Sequence, residues 1–204
     1  MTTTTSTVTA AISYAAEPRA IRVAVITVSD RAYQGIYKDE SGPKVAAAFP
    51  ADVYEVAIQR IVPDEANAIS NEIVRCAEIE RVDVILTTGG AGCSPRDVTP
   101  EATFKILQRE VVGLSDAIRL SYRETHPTLM LSRGVSGIRN QSLVVNLPGS
   151  PENAKLALEI ILPALPHFVK TVRQQRRPPR KTSTNSPGGD SGFPKQTKPR
   201  GYNR

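Results

Sequence analysis

Apolar residues along the chain fall into two kinds of pattern that alternate. Arg22 to Val28, RVAVITV, is a short and nearly continuous β-branched run, the signature of a strand buried on both faces of a parallel sheet. Ser41-Gly42-Pro43 then offers an N-cap and an early proline for a helix through Phe49, and Val53 to Val62 supplies a second strand that ends at Pro63-Asp64-Glu65. Ile69, Ile73, Val74 and Ala77 recur at helical spacing, and Val82 to Thr87 runs as a strand into glycines. Thr99-Pro100-Glu101 reads as an N-cap, a proline at the first helical position and an acid favoured by the helix dipole, opening a helix over Ala102 to Val111. A further helix follows at Leu114 to Arg123. Leu143 to Leu147 is the next strand, broken by Pro148-Gly149, and Glu152 to Val172 is apolar at helical spacing with kinks forced by Pro163 and Pro166. Such alternation predicts an α/β fold, a three-layer α/β/α sandwich around a mainly parallel sheet, with ligands bound by loops beyond the strand C-termini.

Composition bounds this picture. The 204 residues, 40% of them hydrophobic, suffice for one sizeable core. The formal charge of +6 is uneven: residues 173–204 hold nine Lys or Arg against Asp190 alone, so residues 1–172 carry 17 basic and 19 acidic side chains, or −2. The basicity therefore belongs to the tail. Residues 21–172 read as the folded domain, 1–20 as a Thr- and Ala-rich disordered lead-in, with an Arg-poor organellar transit peptide as the alternative, and 173–204 as a disordered basic Pro/Gly-rich tail. The tail reads as a solubilising linker, with salt-sensitive attraction to polyanions as the alternative; nucleic acid is not an expected partner of the body. Cys76 and Cys93 suggest no disulfide framework, and no apolar run approaches membrane-span length, so a cytoplasmic protein without membrane contact is expected.

Chemistry concentrates in the strand-end segments, which a parallel sheet would bring to one edge: Thr27 to Asp30, Val62 to Glu65, Thr88 to Thr99, and Asn146 to Ser150. Gly89, Gly90 and Gly92 let backbone N–H groups approach a phosphate, although neither GxxxxGK[ST] nor GxGxxG is present, so the glycines by themselves name no ligand. Asp64 and Asp97 each follow a predicted strand, and hard carboxylate oxygens are what Mg²⁺ accepts, with phosphate and water completing its shell. The local alternatives are that Asp97 pairs with Arg96 or caps the next helix, and that Asp64 closes a turn after Pro63. Ser29, Asp30, Ser94, Ser132 and Arg133 are further polar loop candidates. His126 and His167 have no soft-ligand neighbours that would suggest zinc.

Gly89 to Thr103, GGAGCSPRDVTPEAT, closely resembles the signature of the molybdopterin adenylyltransferases, the family that includes bacterial molybdenum-cofactor enzymes and the G domains of plant and animal two-domain proteins. The resemblance continues in order through Thr27-Val28-Ser29-Asp30, Ser41-Gly42-Pro43, Val62-Pro63-Asp64-Glu65, Leu131-Ser132-Arg133, Gly137-Ile138-Arg139 and Asn146-Leu147-Pro148-Gly149. It implies an α/β homotrimer that activates molybdopterin with ATP and Mg²⁺, releasing pyrophosphate. A partner protein or domain would insert molybdate.

Carried over residue by residue, the resemblance makes Asp64 and Asp97 the catalytic, magnesium-linked acids, and Gly89, Gly90, Gly92 and Ser94 the nucleotide and phosphate contacts. Ser29, Asp30, Asn146, Pro148 and Gly149 would line the same cleft, and Ser132, Arg133 and Arg139 would meet the terminal phosphate of the pterin. Two positions depart from the family pattern: Ala91 stands where many relatives carry Thr, and Cys93 where a bulkier apolar residue is usual. A non-catalytic molybdopterin carrier is the alternative, against which the intact Arg96 to Glu101 run argues.

Overall fold

In the computed structural model, which describes residues 19–121 and 124–174, the buried runs become the centre of a six-stranded sheet. The strands are β1 (Ile21–Val28), β2 (Tyr54–Val62), β3 (Val84–Thr88), β4 (Arg109–Glu110), β5 (Ser136–Arg139) and β6 (Ser142–Leu147), in the order β2-β1-β3-β6-β5-β4. β2, β1, β3 and β6 are parallel, whereas β5 runs antiparallel to β6 and β4 antiparallel to β5. The helices are α1 (Asp30–Tyr33), α2 (Ser41–Ala47), α3 (Ala66–Val74), α4 (Thr99–Phe104), α5 (Val112–Ser121), α6 (Pro151–Ile161) and α7 (Leu165–Gln174).

The strict two-residue period of the strands sorts their side chains into two cores. Ile21, Val23 and Val25 of β1 join Val84, Leu86, Leu143, Val145 and Leu147 on the face covered by α2, α6 and α7. Ala24, Ile26 and Val28 join Ile85 and Val144 on the opposite face, against Ile69 and Ile73 of α3 and Ala102 of α4. The expected α/β/α sandwich is the result. The central strands are buried along almost their whole length, which is why they read as continuous apolar runs, while β2 at the edge is buried only at its end residues Tyr54 and Val62.

Four sequence expectations change on folding. The helix expected over Ala102 to Val111 stops at Phe104, because Gln108 donates its N–H to Ile138 O at 2.9 Å and Arg109–Glu110 pair with β5. Thr99 is not its side-chain cap: its hydroxyl bonds Gly89 O at 2.9 Å instead. Nor does Ser41 cap α2; Asp39 Oδ1 accepts from the N–H groups of Ser41 (3.0 Å) and Gly42 (3.1 Å). The last helix, expected to kink, is divided by a 3₁₀ turn at Leu162–Ala164 and continues to Gln174, so Arg173 belongs to the folded body and not to the tail. The remaining tail, the lead-in through residue 18, and the expected helix end at Arg123 lie outside the described residues.

α3 passes into a π-helical turn, Arg75–Ile79, before the chain enters β3. At the opposite end of the sheet from the glycine loop, Asp83 is the anchor where the termini of the domain meet. Its carboxylate accepts from Arg22 N at 2.9 Å and from Arg173 Nη2 at 2.8 Å, while Arg173 also bonds the carbonyls of Arg19 and Ala20. No helix among the described residues is long and apolar enough to cross a membrane.

Candidate active site at the strand C-termini

β1, β2, β3 and β6 all end on one edge, and their four following loops meet there. The tightest approach lies between Gly89 and its neighbours. Gly89 has φ +103°, and a Cβ there would collide with Val28 O; Gly90 has φ +60°, and a Cβ there would lie 3.0 Å from Asp64 Oδ1 and collide with Thr99 Oγ1. Glycine is therefore demanded twice over, by backbone sign and by space. Gly149 comes within the same contact range, since a Cβ on it would meet Gly89 Cα at 3.2 Å. Hydroxyls hold this second loop: Thr88 Oγ1 donates to Pro148 O at 2.7 Å and Ser41 Oγ to Gly149 O at 2.7 Å.

Asp64 and Asp97 stand on either side of the glycine loop. Asp64 Oδ2 accepts from Asp30 N at 2.8 Å and leaves Oδ1 facing Gly90; burial pushes its carboxyl above the ordinary aspartate value. Asp97 Oδ2 accepts from Ser94 N at 2.8 Å and lies 2.9 Å from where a Cβ of Gly92 would be. Each acid thus spends one oxygen on a backbone N–H, Asp64 on that of the loop after β1 and Asp97 on that of its own loop. Asp30 returns the bond with Oδ1, which accepts from Asp64 N at 3.0 Å, and its Oδ2 pairs with Arg96. The Arg96 guanidinium holds Asp30 below the ordinary carboxylate range.

Arg133 has a different position from the one expected. Its Nε donates to Gly92 O at 2.6 Å, its Nη2 to Asp97 O at 2.7 Å and its Nη1 to the Glu101 carboxylate, which it holds below its usual value. A guanidinium committed this way braces the glycine loop from behind and has little left for a ligand phosphate. Asn146 is likewise structural: at 2% exposure it donates to Thr87 Oγ1 and Thr103 Oγ1 and accepts from Val135 N, all within the protein. Ser29 caps α1 by accepting from Ala32 N.

Arg139 is not brought to this edge at all. It ends β5, which runs antiparallel, so it pairs in register with Ser142 at the start of β6, at the far end of the sheet, where it bonds Glu78 and Ile106 O. Its family-like position in sequence gave no sign of that reversal. Conversely, sequence reasoning placed Thr27 in a strand-end segment without giving it a role and passed over Asp39; the Thr27 hydroxyl donates to Asp39 Oδ2 at 2.6 Å, which ties β1 to α2 beside the site. An acid two residues before a serine, with a glycine and a proline behind it, was the signal available.

On the other side of the loop, Ala91, Gly92, Leu129, Leu131, Ser132 and Pro148 line part of a concavity of about 190 Å³. Together the edge offers exposed backbone around glycines, carboxylates with oxygens to spare, and an adjoining part-apolar hollow. That arrangement suits a phosphorylated substrate with a flat organic part.

Comparison with known proteins agrees. Residues 24–167 match the family described as a probable molybdopterin binding domain. A molybdopterin adenylyltransferase of Helicobacter pylori is 37% identical over 158 residues, covering 74% of this chain and 88% of that protein. Gephyrin of Dictyostelium discoideum is 36% identical over 163 residues, where the match spans 23% of that longer protein. Among solved structures, the molybdopterin biosynthesis enzyme MoaB of Thermus thermophilus superposes with a TM-score of 0.72 at 42% identity, covering 76% of this chain and 97% of that one.

Proposed function

This chain belongs to the family of molybdopterin-binding domains, and from that membership we propose that it is a molybdopterin adenylyltransferase of molybdenum-cofactor biosynthesis. It transfers AMP from ATP to the terminal phosphate of molybdopterin and releases pyrophosphate. The observation that carries the reading is the placement of Asp64 and Asp97 on either side of the Gly90–Gly92 turn, each with one oxygen fixed by a backbone N–H.

The donor set fits magnesium. Asp64 and Asp97 provide hard oxygens against a glycine cradle that a Cβ would fill, and Mg²⁺ typically takes one or two carboxylates with substrate phosphates and water. Those two acids would hold the ion, which supplies charge neutralisation between the approaching and departing phosphates. The backbone N–H groups at Gly89, Gly90 and Gly92, with Ser94, bind and orient the nucleotide phosphates. Ser132, Pro148 and Gly149 line the hollow that receives the pterin side of the reaction. Positioning two anions for in-line attack on the α-phosphorus supplies most of the acceleration.

The chain works as a homotrimer, a reading supported by exposed Leu120 on α5 and exposed Met130 and Leu131 on a further 3₁₀ turn, Pro127–Leu131, that packs beside α5, since clustered exposed apolar groups mark association surfaces. Molybdate insertion falls to a partner protein. A reducing cytoplasm suits Cys76 and Cys93, both free thiols.

Release of pyrophosphate from ATP, with and without molybdopterin, tests the reading. Pterin-dependent release that disappears in Asp64→Asn and Asp97→Asn and on chelation of Mg²⁺ is expected. Tight molybdopterin binding by the wild type without any pyrophosphate release would make the chain a carrier instead.

A further inference from the structure

The site edge contains more acid than base. Asp30, Asp64, Asp97 and Glu101 surround the glycine loop, and the two guanidinium groups placed among them are Arg96 and Arg133. A triphosphate approaching such an edge meets repulsion unless cations offset it. Arg133 is largely committed, because each of its three nitrogens already donates, to Gly92 O, Glu101 and Asp97 O, and two N–H groups remain. Arg96 is in the opposite situation. Its side chain is 64% exposed, it rises from the loop immediately before Asp97, and its guanidinium donates through Nη2 to Asp30 Oδ2.

We propose that Arg96 is the polyphosphate-binding cation of this site, with the Asp30 carboxylate as the acceptor that it exchanges for a phosphate oxygen. The inference rests on the adenylyltransferase reading for the identity of the nucleotide, but its chemistry concerns any di- or triphosphate. Carboxylate and phosphate oxygens are alternative acceptors for the same planar fork, and phosphate carries the larger charge. The exchange is cheap in solvation because the pair is exposed, whereas a buried pair would leave an unpartnered charge behind.

Geometry also favours the exchange. Asp30 uses its other oxygen, Oδ1, to accept from Asp64 N, so the acid stays anchored when Arg96 leaves. Asp64 is anchored in return through Asp30 N, which keeps the guanidinium within electrostatic reach of both acids and of whatever phosphate lies against Gly90. Arg96 is therefore assigned to binding and orientation of the polyphosphate, and Asp30 to holding Arg96 in position and in competition with it.

Equilibrium titration of the full chain with inorganic tripolyphosphate, ATP and adenosine tests this. Arg96→Gln is expected to weaken tripolyphosphate and ATP by roughly tenfold or more, the loss typical of a hydrogen bond between charged groups, with adenosine unchanged. Arg96→Lys should retain part of the affinity. Asp30→Asn keeps the oxygen that accepts from Asp64 N and should tighten tripolyphosphate several-fold, a gain that vanishes when Arg96→Gln is added. Tripolyphosphate bound equally by wild type and Arg96→Gln would overturn the proposal, as would an Asp30→Asn gain that persists without Arg96. The outcome separates from that of the parent reading: a wild type that releases no pyrophosphate while Arg96→Gln still loses tripolyphosphate refutes the adenylyltransferase and supports the phosphate-binding arginine.

Discussion

Asp30 and Asp64 exchange hydrogen bonds, the backbone N–H of each donating to the carboxylate of the other at 2.8 and 3.0 Å. This reciprocal clasp joins the end of β1 to the end of β2 and fixes the acid that faces Gly90. The two carboxyls are nonetheless pushed apart in acidity. Arg96 lowers Asp30, and burial raises Asp64.

Stability should follow pH accordingly. Asp30 has a folded pKa below its unfolded value, so its contribution is present above the unfolded value and is lost as pH falls through the folded one. Asp64 has the opposite sign: stability declines as pH rises from its unfolded value to its folded one. Carboxyl NMR should show Asp30 titrating before Asp64 as pH rises from strong acid, and Arg96→Gln should move both upward. Titration in the reverse order would refute the assignment.

Gly90→Ala should remove activity out of proportion to its effect on folding. The new Cβ lies 3.0 Å from Asp64 Oδ1, collides with Thr99 Oγ1 and sits at φ +60°, so overpacking of about 1–3 kcal/mol is expected. Pyrophosphate release should fall by roughly a hundredfold, in the range that misplacement of a reacting group costs. A variant with near-normal kcat would show that Asp64 need not stay where Gly90 allows it.

Replacement of Arg133 by Lys should loosen the glycine loop. One ammonium cannot reproduce a fork that reaches Gly92 O, Asp97 O and Glu101 together. Faster amide exchange over residues 92–97 and a raised KM for ATP are expected, with only a small fall in Tm. Unchanged exchange would mean that the loop is held by its glycine turns alone.

Far from the site, Asp83→Ala should be among the most destabilising polar substitutions. The Asp83 side chain is 5% exposed and pairs with Arg173, whose guanidinium also ties down the carbonyls of Arg19 and Ala20. Removal of one partner of a buried pair costs roughly 3 kcal/mol or more. Urea denaturation of the variant should reveal that loss while tripolyphosphate binding stays intact.

The apolar runs at Val23 to Val28, Val84 to Leu86 and Leu143 to Leu147 were enough, by themselves, to specify a parallel α/β core, because strands buried on both faces have no polar alternation to blur them. The glycine-rich motif and the acids at the ends of β2 and β3 were legible for the same reason: parallel strands deliver their C-terminal loops to one edge. What tertiary structure alone decided was direction and partnership. Ser136–Arg139 is too short and mixed to announce a strand, and its antiparallel pairing with β6 carries Arg139 to the far end of the sheet. Arg133 and Asn146 look like ligand contacts in one dimension; packing reveals acceptors for them 36 to 59 positions away, in the glycine loop for Arg133 and in β3 and α4 for Asn146. Pairing with its neighbour Asp97 was one local alternative for Arg96, and the fold instead gives it Asp30, 66 positions earlier in the chain. Local spacing fixes which groups a loop carries, but a side chain's charge partner depends on which other loops converge on it.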